Sequence, residues 1–156
     1  EGESETMAHY RAAAAVSTES GEILMLGDNI GDFVFDLPLL RFLERGGRKV
    51  LYTVRERPAQ NDLSMEDVRR LGLHDLHPRI ISTGKGNVGL PREDSAGEIE
   101  RLWKKEGPVI AKGMGNFETI SEFDGERQVV YIMKVKCTAV ARAVGSDTGT
   151  YIAHVR

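Results

Sequence analysis

The sequence has a single cysteine, no apolar run long enough to span a bilayer, and no excess of basic residues. Because Cys137 has no partner for an internal disulfide, we expect a reducing compartment such as the cytoplasm. The formal net charge of −3 argues against a nucleic-acid-binding surface, which is normally basic. The lack of a long apolar run argues against a membrane-spanning segment. Acidic residues stand where a signal peptide would be basic, so we expect no secretory leader.

Glycine, by contrast, is abundant, with 17 among 156 residues, and much of it lies in short polar stretches between apolar runs. Strand-like and helix-like patterns alternate along the chain, which indicates an α/β protein with a mostly parallel sheet. We expect one domain over 1–156, with three α/β/α layers and a Rossmann-like strand order of 3-2-1-4-5-6. The predicted strands are Glu22–Leu26, Arg48–Val54, Pro78–Thr83, Pro108–Lys112, Gln128–Val135 and Thr150–His154. The predicted helices are Met7–Val16, Gly31–Arg45, Met65–Leu71, Asp94–Glu106, Phe117–Glu122 and Cys137–Val144.

Pro38 leaves the start of the second helix open. Inside a helix from Gly31 it would remove one hydrogen bond and cause a kink. The alternative is a helix that begins only near Asp36.

The turn after the first predicted strand carries two adjacent oxygen donors, Asp28 and Asn29. In open α/β sheets, ligands bind outside the carboxyl ends of the strands. Carboxylate and amide oxygens are the ligands that Mg²⁺, Mn²⁺ and Ca²⁺ accept. The alternative is an ordinary turn, since Asp and Asn are common turn residues.

Two further loops should open on the same edge of a parallel sheet. The loop after the second strand has Asn61 and Asp62, and the fourth strand ends at Lys112. Two carboxylates and an amide could hold a divalent cation, and a nearby lysine could bind a phosphate. Gly113 and Gly115 could also let backbone N–H groups approach an anion closely. Repulsion between carboxylates predicts that Asp62→Asn would not destabilise the metal-free protein.

Other motifs carry less weight. The stretch 84–89 is a literal G-x-G-x-x-G, but it runs into Leu90-Pro91 and not directly into a helix, so we do not interpret it as a dinucleotide fingerprint. The histidines at 9, 74, 77 and 154 have no ligand spacing, and we expect surface or turn positions for them.

Five motifs together resemble the metal-dependent damage-control phosphatases, catalogued as domain of unknown function 89. In order they are GDNIGDFVFD at 27–36, VRERPAQNDLSMEDV at 54–68, ISTG at 81–84, AKGMGNFETISE at 111–122 and KVKCTAVARAVG at 134–145. The resemblance covers nearly everything after residue 20. It implies a Rossmann-like core, a divalent cation (Mn²⁺ or Mg²⁺, with Co²⁺ or Ni²⁺ as alternatives) and hydrolysis of small phosphate monoesters such as sugar phosphates or damaged metabolites.

The resemblance also implies roles for individual residues. Asp28, Asn29 and Asp62 would be metal ligands, and Lys112 would bind the substrate phosphate. Asp28, Asp62 and Lys112 would thus be the catalytic set, with metal-bound water or a carboxylate such as Asp28 as the nucleophile. The residues expected beside the substrate are Asp32 (where the family usually has Glu), Asn61, Ser82, Thr83, Gly84 and Asn116.

The chain departs from the family at its start. Members usually carry a helical N-terminal domain, often with a Cys-x-x-Cys pair, whereas only about twenty residues precede the first motif here. We therefore expect a fragment, one product of a split gene, or a minimal form, which a separate helical domain or subunit could complete. Two other functions remain open: a non-catalytic metal- or ligand-binding module, and a methyltransferase with a nucleoside cofactor.

Overall fold

The structure, a computed structural model, describes residues 21–84, 86, 89–90, 98–104, 107–123, 125 and 127–156. Its strands are β1 (Glu22–Leu26), β2 (Lys49–Val54), β3 (Ile80–Ser82), β4 (Val109–Lys112), β5 (Val129–Lys134) and β6 (Tyr151–Val155). Its helices are α1 (Asp32–Arg45), α2 (Met65–Leu71), α3 (Glu98–Lys104), α4 (Met114–Ile120) and α5 (Thr138–Val144), with a 3₁₀ turn at Leu73–Asp75. The prediction over Met7–Val16 and the outer parts of the one over Asp94–Glu106 lie outside the described residues.

The six strands form one sheet in the order β3-β2-β1-β4-β5-β6. All neighbouring pairs are parallel except β5 and β6. This strand order is the predicted one, and the fold belongs to the predicted α/β class. The order reverses between β1 and β4, and such a switch point is where open α/β sheets bind ligands.

Apolar side chains on the two faces of the sheet form two separate clusters. One contains Phe33, Leu37 and Leu40 of α1 together with Val68 of α2. The other contains residues of α3, α4 and α5, including Trp103 and Phe117. The sheet therefore lies between two helical layers, as the α/β/α prediction requires.

Helix α1 runs without interruption from Asp32 to Arg45 with Pro38 inside it. The alternative of a helix beginning near Asp36 is therefore wrong. Buried residues on both sides of the proline, Phe33 and Leu40 among them, pack on the sheet. This packing compensates for the backbone hydrogen bond that proline cannot donate.

Two other expectations need correction. Helix α4 begins at Met114, three residues before the predicted start, directly after Gly113, whose φ is +79°. His77 was expected at the surface or in a turn, but it is buried, with 2% of its surface exposed. Its Nε2 lies 3.2 Å from the Val50 carbonyl oxygen. Burial lowers the pKa of this imidazole.

No helix in the described part of the chain is long and apolar enough to cross a membrane.

Candidate active site

A tight turn at the end of β1 places Asp28 at the switch point. The Gly27 amide donates to the Thr53 carbonyl oxygen at 3.1 Å, which continues the pairing with β2. A Cβ at position 27 would lie 2.6 Å from that oxygen and from the Tyr52 ring. Glycine is therefore required here, because only it lets the two chains approach so closely.

The turns after β1 and β2 are joined by an antiparallel bridge between Asn29 and Asp62. The Ile30 amide donates to the Asn61 carbonyl at 3.0 Å, and the Leu63 amide donates to the Asp28 carbonyl at 2.9 Å. In this pattern the bridged residues form a non-hydrogen-bonded pair, whose Cα atoms are about 4.5 Å apart with neighbouring side chains. The backbone itself thus brings the two loops together.

Side-chain hydrogen bonds connect the predicted site residues around Asn29. Its Nδ2 donates to the Asp28 Oδ2 and to the Asp32 Oδ2, each at 3.0 Å. Its Oδ1 accepts a short hydrogen bond from the Asn61 Nδ2. Asp28, Asn29, Asp32, Asn61 and Asp62 therefore form one cluster.

Negative charge is crowded at Asp28. Burial, followed by the nearby carboxylates of Asp62 and Asp32, raises the pKa of this carboxyl to about 6, although Arg55 and Lys136 oppose the change. Gly113 provides the space for this carboxylate, since a Cβ there would lie 2.0 Å from the Asp28 Oδ2. The Gly113 amide itself is engaged in the sheet, because its N–H donates to the Ile132 carbonyl at 3.0 Å.

Arg55 is a central residue that the sequence did not reveal. It is 2% exposed, and its Nε donates to the Asp62 Oδ2 at 2.8 Å. The rest of the guanidinium donates to the Gly89 carbonyl at 2.6 Å and the Asn116 Oδ1 at 3.3 Å. Arg55 therefore fixes Asp62, and nothing in the local sequence distinguishes it from Arg57.

Lys112 is likewise held by a residue that sequence reasoning missed. Its Nζ lies 2.5 Å from the Asp36 Oδ1, and the Tyr52 hydroxyl donates to the Asp36 Oδ2 at 2.9 Å. Burial raises the pKa of the Asp36 carboxyl, against the effect of Lys112. The sequence did contain a signal: Asp36 lies among Phe33, Leu37 and Leu40 on the buried face of α1.

A cavity of about 320 Å³ opens between this acidic cluster and the ends of β4, β5 and β6. Asp28, Asn29, Asp32 and Lys112 line it. The opposite side is formed mainly by Ile132, Met133, Lys134, Lys136 and Tyr151.

Five residues expected beside the substrate lie off the cavity wall. Asn61 is one of them, and it contacts the cluster through its hydrogen bond to Asn29. Asn116 is fully buried, and its Nδ2 donates to the Gly27 and Lys112 carbonyls at 3.1 and 2.6 Å. It therefore supports the turn behind the cavity. Ser82 is the last residue of the edge strand β3, on the far side of β2, and Thr83 and Gly84 follow it. Thr83 is 4% exposed, and its amide donates to the Val54 carbonyl. Their predicted contact with substrate has no counterpart in the lining of this cavity.

The donor set fits a hard divalent cation. Among the described residues, no three Asp, Glu, His or Cys side chains come together as a metal site. The candidate set is instead two carboxylates, Asp28 and Asp62, with the Asn29 amide, whose oxygen here accepts from Asn61. Oxygen donors of this kind suit Mg²⁺ and Mn²⁺. A cation here would also offset the crowded charge that raises the pKa of Asp28.

Known proteins resemble this chain over most of its length. The family model described as "Damage-control phosphatase ARMT1-like domain" matches residues 5–152. A damage-control phosphatase of Pyrococcus horikoshii is 37% identical over 131 residues, which are 83% of this chain and 45% of that protein. A damage-control phosphatase of Archaeoglobus fulgidus is 31% identical over 137 residues, covering 87% of this chain and 47% of that protein.

A solved structure shows the same fold. The crystal structure of a DUF89 family protein from Pyrococcus horikoshii superposes with a TM-score of 0.79 at 33% identity, covering 93% of this chain and 49% of the other. The chain thus spans about half the length of the relatives it matches. With the fold, the motifs and the family model in agreement, this chain belongs to the damage-control phosphatase ARMT1-like family.

Proposed function

We propose that this protein is a metal-dependent phosphohydrolase that acts on small phosphate monoesters, such as sugar phosphates or damaged phosphorylated metabolites. The observation that carries the proposal is the Asn29–Asp62 bridge, which gathers oxygen donors beside a cavity that Lys112 also lines. The names of the relatives support the same class of reaction. The binding-module and methyltransferase alternatives have no such support.

Asp28, Asn29 and Asp62 would hold the cation, with Mn²⁺ or Mg²⁺ as the first choices and Co²⁺ or Ni²⁺ as further ones. When bound, such an ion supplies Lewis-acid polarisation of a phosphoryl oxygen. Arg55 keeps the Asp62 carboxylate in place, and Gly113 leaves room for that of Asp28.

Lys112 places a positive charge at the cavity, where it would offset the negative charge of the transferring phosphoryl group. Its ammonium is held by Asp36 and its side chain is 17% exposed, so the charge is positioned before a substrate arrives. Asp32 stands at the rim, where its carboxylate could accept hydrogen bonds from substrate hydroxyls. Asn61 would act indirectly, by holding the Asn29 side chain through its hydrogen bond.

The partner in this proposal is a small phosphorylated metabolite in the cytoplasm, without nucleic acid or membrane. A helical domain or subunit that completes the site remains part of the proposal.

A phosphate-release screen over sugar phosphates, with Mn²⁺, Mg²⁺, Co²⁺ or Ni²⁺, tests the proposal. We expect metal-dependent release that Asp28→Asn abolishes. Lys112→Ala should reduce turnover on the order of 10²-fold while cation affinity stays nearly unchanged. Lys49→Ala, which removes the same charge at the opposite edge of the sheet, is the control. Phosphate release that does not depend on added metal, or that is unchanged in Lys112→Ala, would contradict the proposal.

A further inference from the structure

Tyr151 brings an aromatic ring to the cavity of the candidate active site. It is the first residue of β6, which runs antiparallel to β5, so it lies at the edge where the parallel strands end. It is 50% exposed and lines the same cavity as Asp28 and Lys112. None of the five sequence motifs contains this residue.

The backbone on both sides of Tyr151 is fixed by the sheet. The Val135 amide donates to the Thr150 carbonyl at 2.8 Å, and the Gly149 amide donates to the Val135 carbonyl at 2.7 Å. Tyr151 itself is paired in register with Lys134. The start of β6 is therefore held against the end of β5, and the ring has a defined place at the cavity.

Tyr151 has the largest exposed fraction of the apolar residues that line this side of the cavity. Ile132 and Met133 are only 4% and 3% exposed, so they offer little surface to a ligand. Met114 is partly buried against the core cluster on that face of the sheet. A ligand that enters the cavity therefore meets apolar surface chiefly at the Tyr151 ring.

The other side of the cavity carries the carboxylates of Asp28 and Asp32, which accept hydrogen bonds from hydroxyl groups. A ligand that fits both sides has hydroxyls along one edge and an apolar face. A sugar ring has this form, because C–H groups cover its faces, whereas an open-chain polyol has no flat apolar face. A cavity of about 320 Å³ is at the small end of ligand pockets, so it suits a single ring.

We propose that Tyr151 is a specificity-determining residue that stacks on the ring of a cyclic sugar phosphate, so that the cavity prefers cyclic to open-chain phosphate monoesters. The inference rests on the proposed function for its substrate, a small phosphate monoester. The Lys134 ammonium lies 5.3 Å from the centre of the Tyr151 ring, a cation–π contact that restrains the ring. A ring that is already restrained loses less conformational entropy when a ligand stacks on it.

Two phosphonates that cannot be hydrolysed are the probes, titrated calorimetrically into the full chain with Mg²⁺ present. One is the analogue of glucose 6-phosphate with a methylene group in place of the bridging oxygen, and the other is the same analogue of open-chain sorbitol 6-phosphate. We expect the parent to bind the ring probe more tightly. Tyr151→Ala should weaken binding of the ring probe by about fivefold to tenfold, and that of the open-chain probe much less.

Two variants are controls for this titration. Tyr151→Phe keeps the ring and should keep the preference for the ring probe. Val155→Ala truncates a residue of the same strand that is 43% exposed at its other end, and it should bind both probes like the parent. Because Tyr151 is half exposed, its truncation should change the melting temperature little, which separates lost binding from lost folding.

Several outcomes would overturn the inference: no preference for the ring probe in the parent, equal losses for both probes in Tyr151→Ala, or an unchanged preference in that variant. A fourth is an equal loss of preference in Lys134→Met, which would mean that the ring acts only by holding Lys134. The titration needs no turnover. If no ester is hydrolysed but the preference depends on Tyr151, only the proposed reaction fails. If esters are hydrolysed and Tyr151→Ala keeps the preference, only this inference fails.

Discussion

At the level of single residues, we expect the two candidate carboxylates to have opposite effects on stability. Asp62 is the ion-pair partner of buried Arg55 at 2.8 Å, whereas Asp28 is crowded by other carboxylates. We expect Asp62→Asn to lower the free energy of unfolding by about 3 kcal/mol without metal, because it leaves a buried arginine unpaired. This corrects the expectation from sequence, which considered only the repulsion. Chemical denaturation with EDTA present checks it, and an unchanged midpoint would contradict the role of Arg55.

Asp28→Asn should change the free energy of unfolding in the opposite direction and stabilise the protein. Because the pKa of Asp28 is raised from 3.8 to about 6, the folded protein binds more protons than the unfolded chain between these pH values. Ionised Asp28 therefore destabilises the fold above about pH 6. We expect Asp28→Asn to raise the free energy of unfolding by about 1 kcal/mol at pH 8, after allowance for partial exposure.

The gain from Asp28→Asn should shrink as pH falls through 6 and vanish below the ordinary carboxyl pKa of 3.8, where both states are protonated. Denaturation of parent and variant at pH 8, 6 and 4 measures this difference. A gain that persists undiminished at low pH would show that charge is not its cause.

Gly113 gives a third prediction at this scale. Gly113→Ala should lose stability by about 1–3 kcal/mol from its positive φ, and should also lose cation affinity, because the new Cβ displaces the Asp28 carboxylate. Gly47→Ala is the matched control, since its φ is +81° but nothing lies within 4 Å of the added Cβ. Both variants should have a lower melting temperature than the parent, and only Gly113→Ala should bind Mn²⁺ more weakly. Equal Mn²⁺ binding in both would contradict the steric argument.

Among the elements, α1 connects the core to the site, because its first turn carries Asp32 and its buried face carries Asp36. Phe33 is fully buried against Tyr52, with ring centroids 5.2 Å apart, whereas Phe35 is 82% exposed. We expect Phe33→Ala to cost about 3–5 kcal/mol and Phe35→Ala no more than about 0.5 kcal/mol. Thermal melts of the two variants compare them directly, and similar losses would mean that α1 packs on a different face.

The elements were largely predictable from sequence because apolar periodicity is a local signal. Helix α2 matches its predicted bounds, and its capping box is present, with the Ser64 Oγ accepting from the Asp67 amide. The meeting of the loops after β1 and β2 was predictable because parallel strands end at one edge. The supporting contacts were not, since Arg55 reaches Asn116 across 61 residues of sequence. Only packing decides whether such a polar side chain is buried.

For the whole molecule, the single sheet couples two cores that have no buried residue in common. We expect one cooperative unfolding transition, because every strand between the edges contributes side chains to both faces. Trp103, the only tryptophan, reports on one face by fluorescence, whereas far-ultraviolet circular dichroism reports on both. The two denaturation curves should coincide. A separate fluorescence midpoint would show that the helical layers unfold independently.

The bridge between the turns after β1 and β2 also makes two backbone amides natural reporters of the site. The Ile30 and Leu63 N–H groups each donate across it, one in each direction. Both must therefore exchange with solvent deuterium when the loops separate, and at the same opening free energy. A cation that binds only the joined loops would slow the two amides equally. Hydrogen exchange at these two positions would thus measure how often the site comes apart in a protein that is otherwise folded.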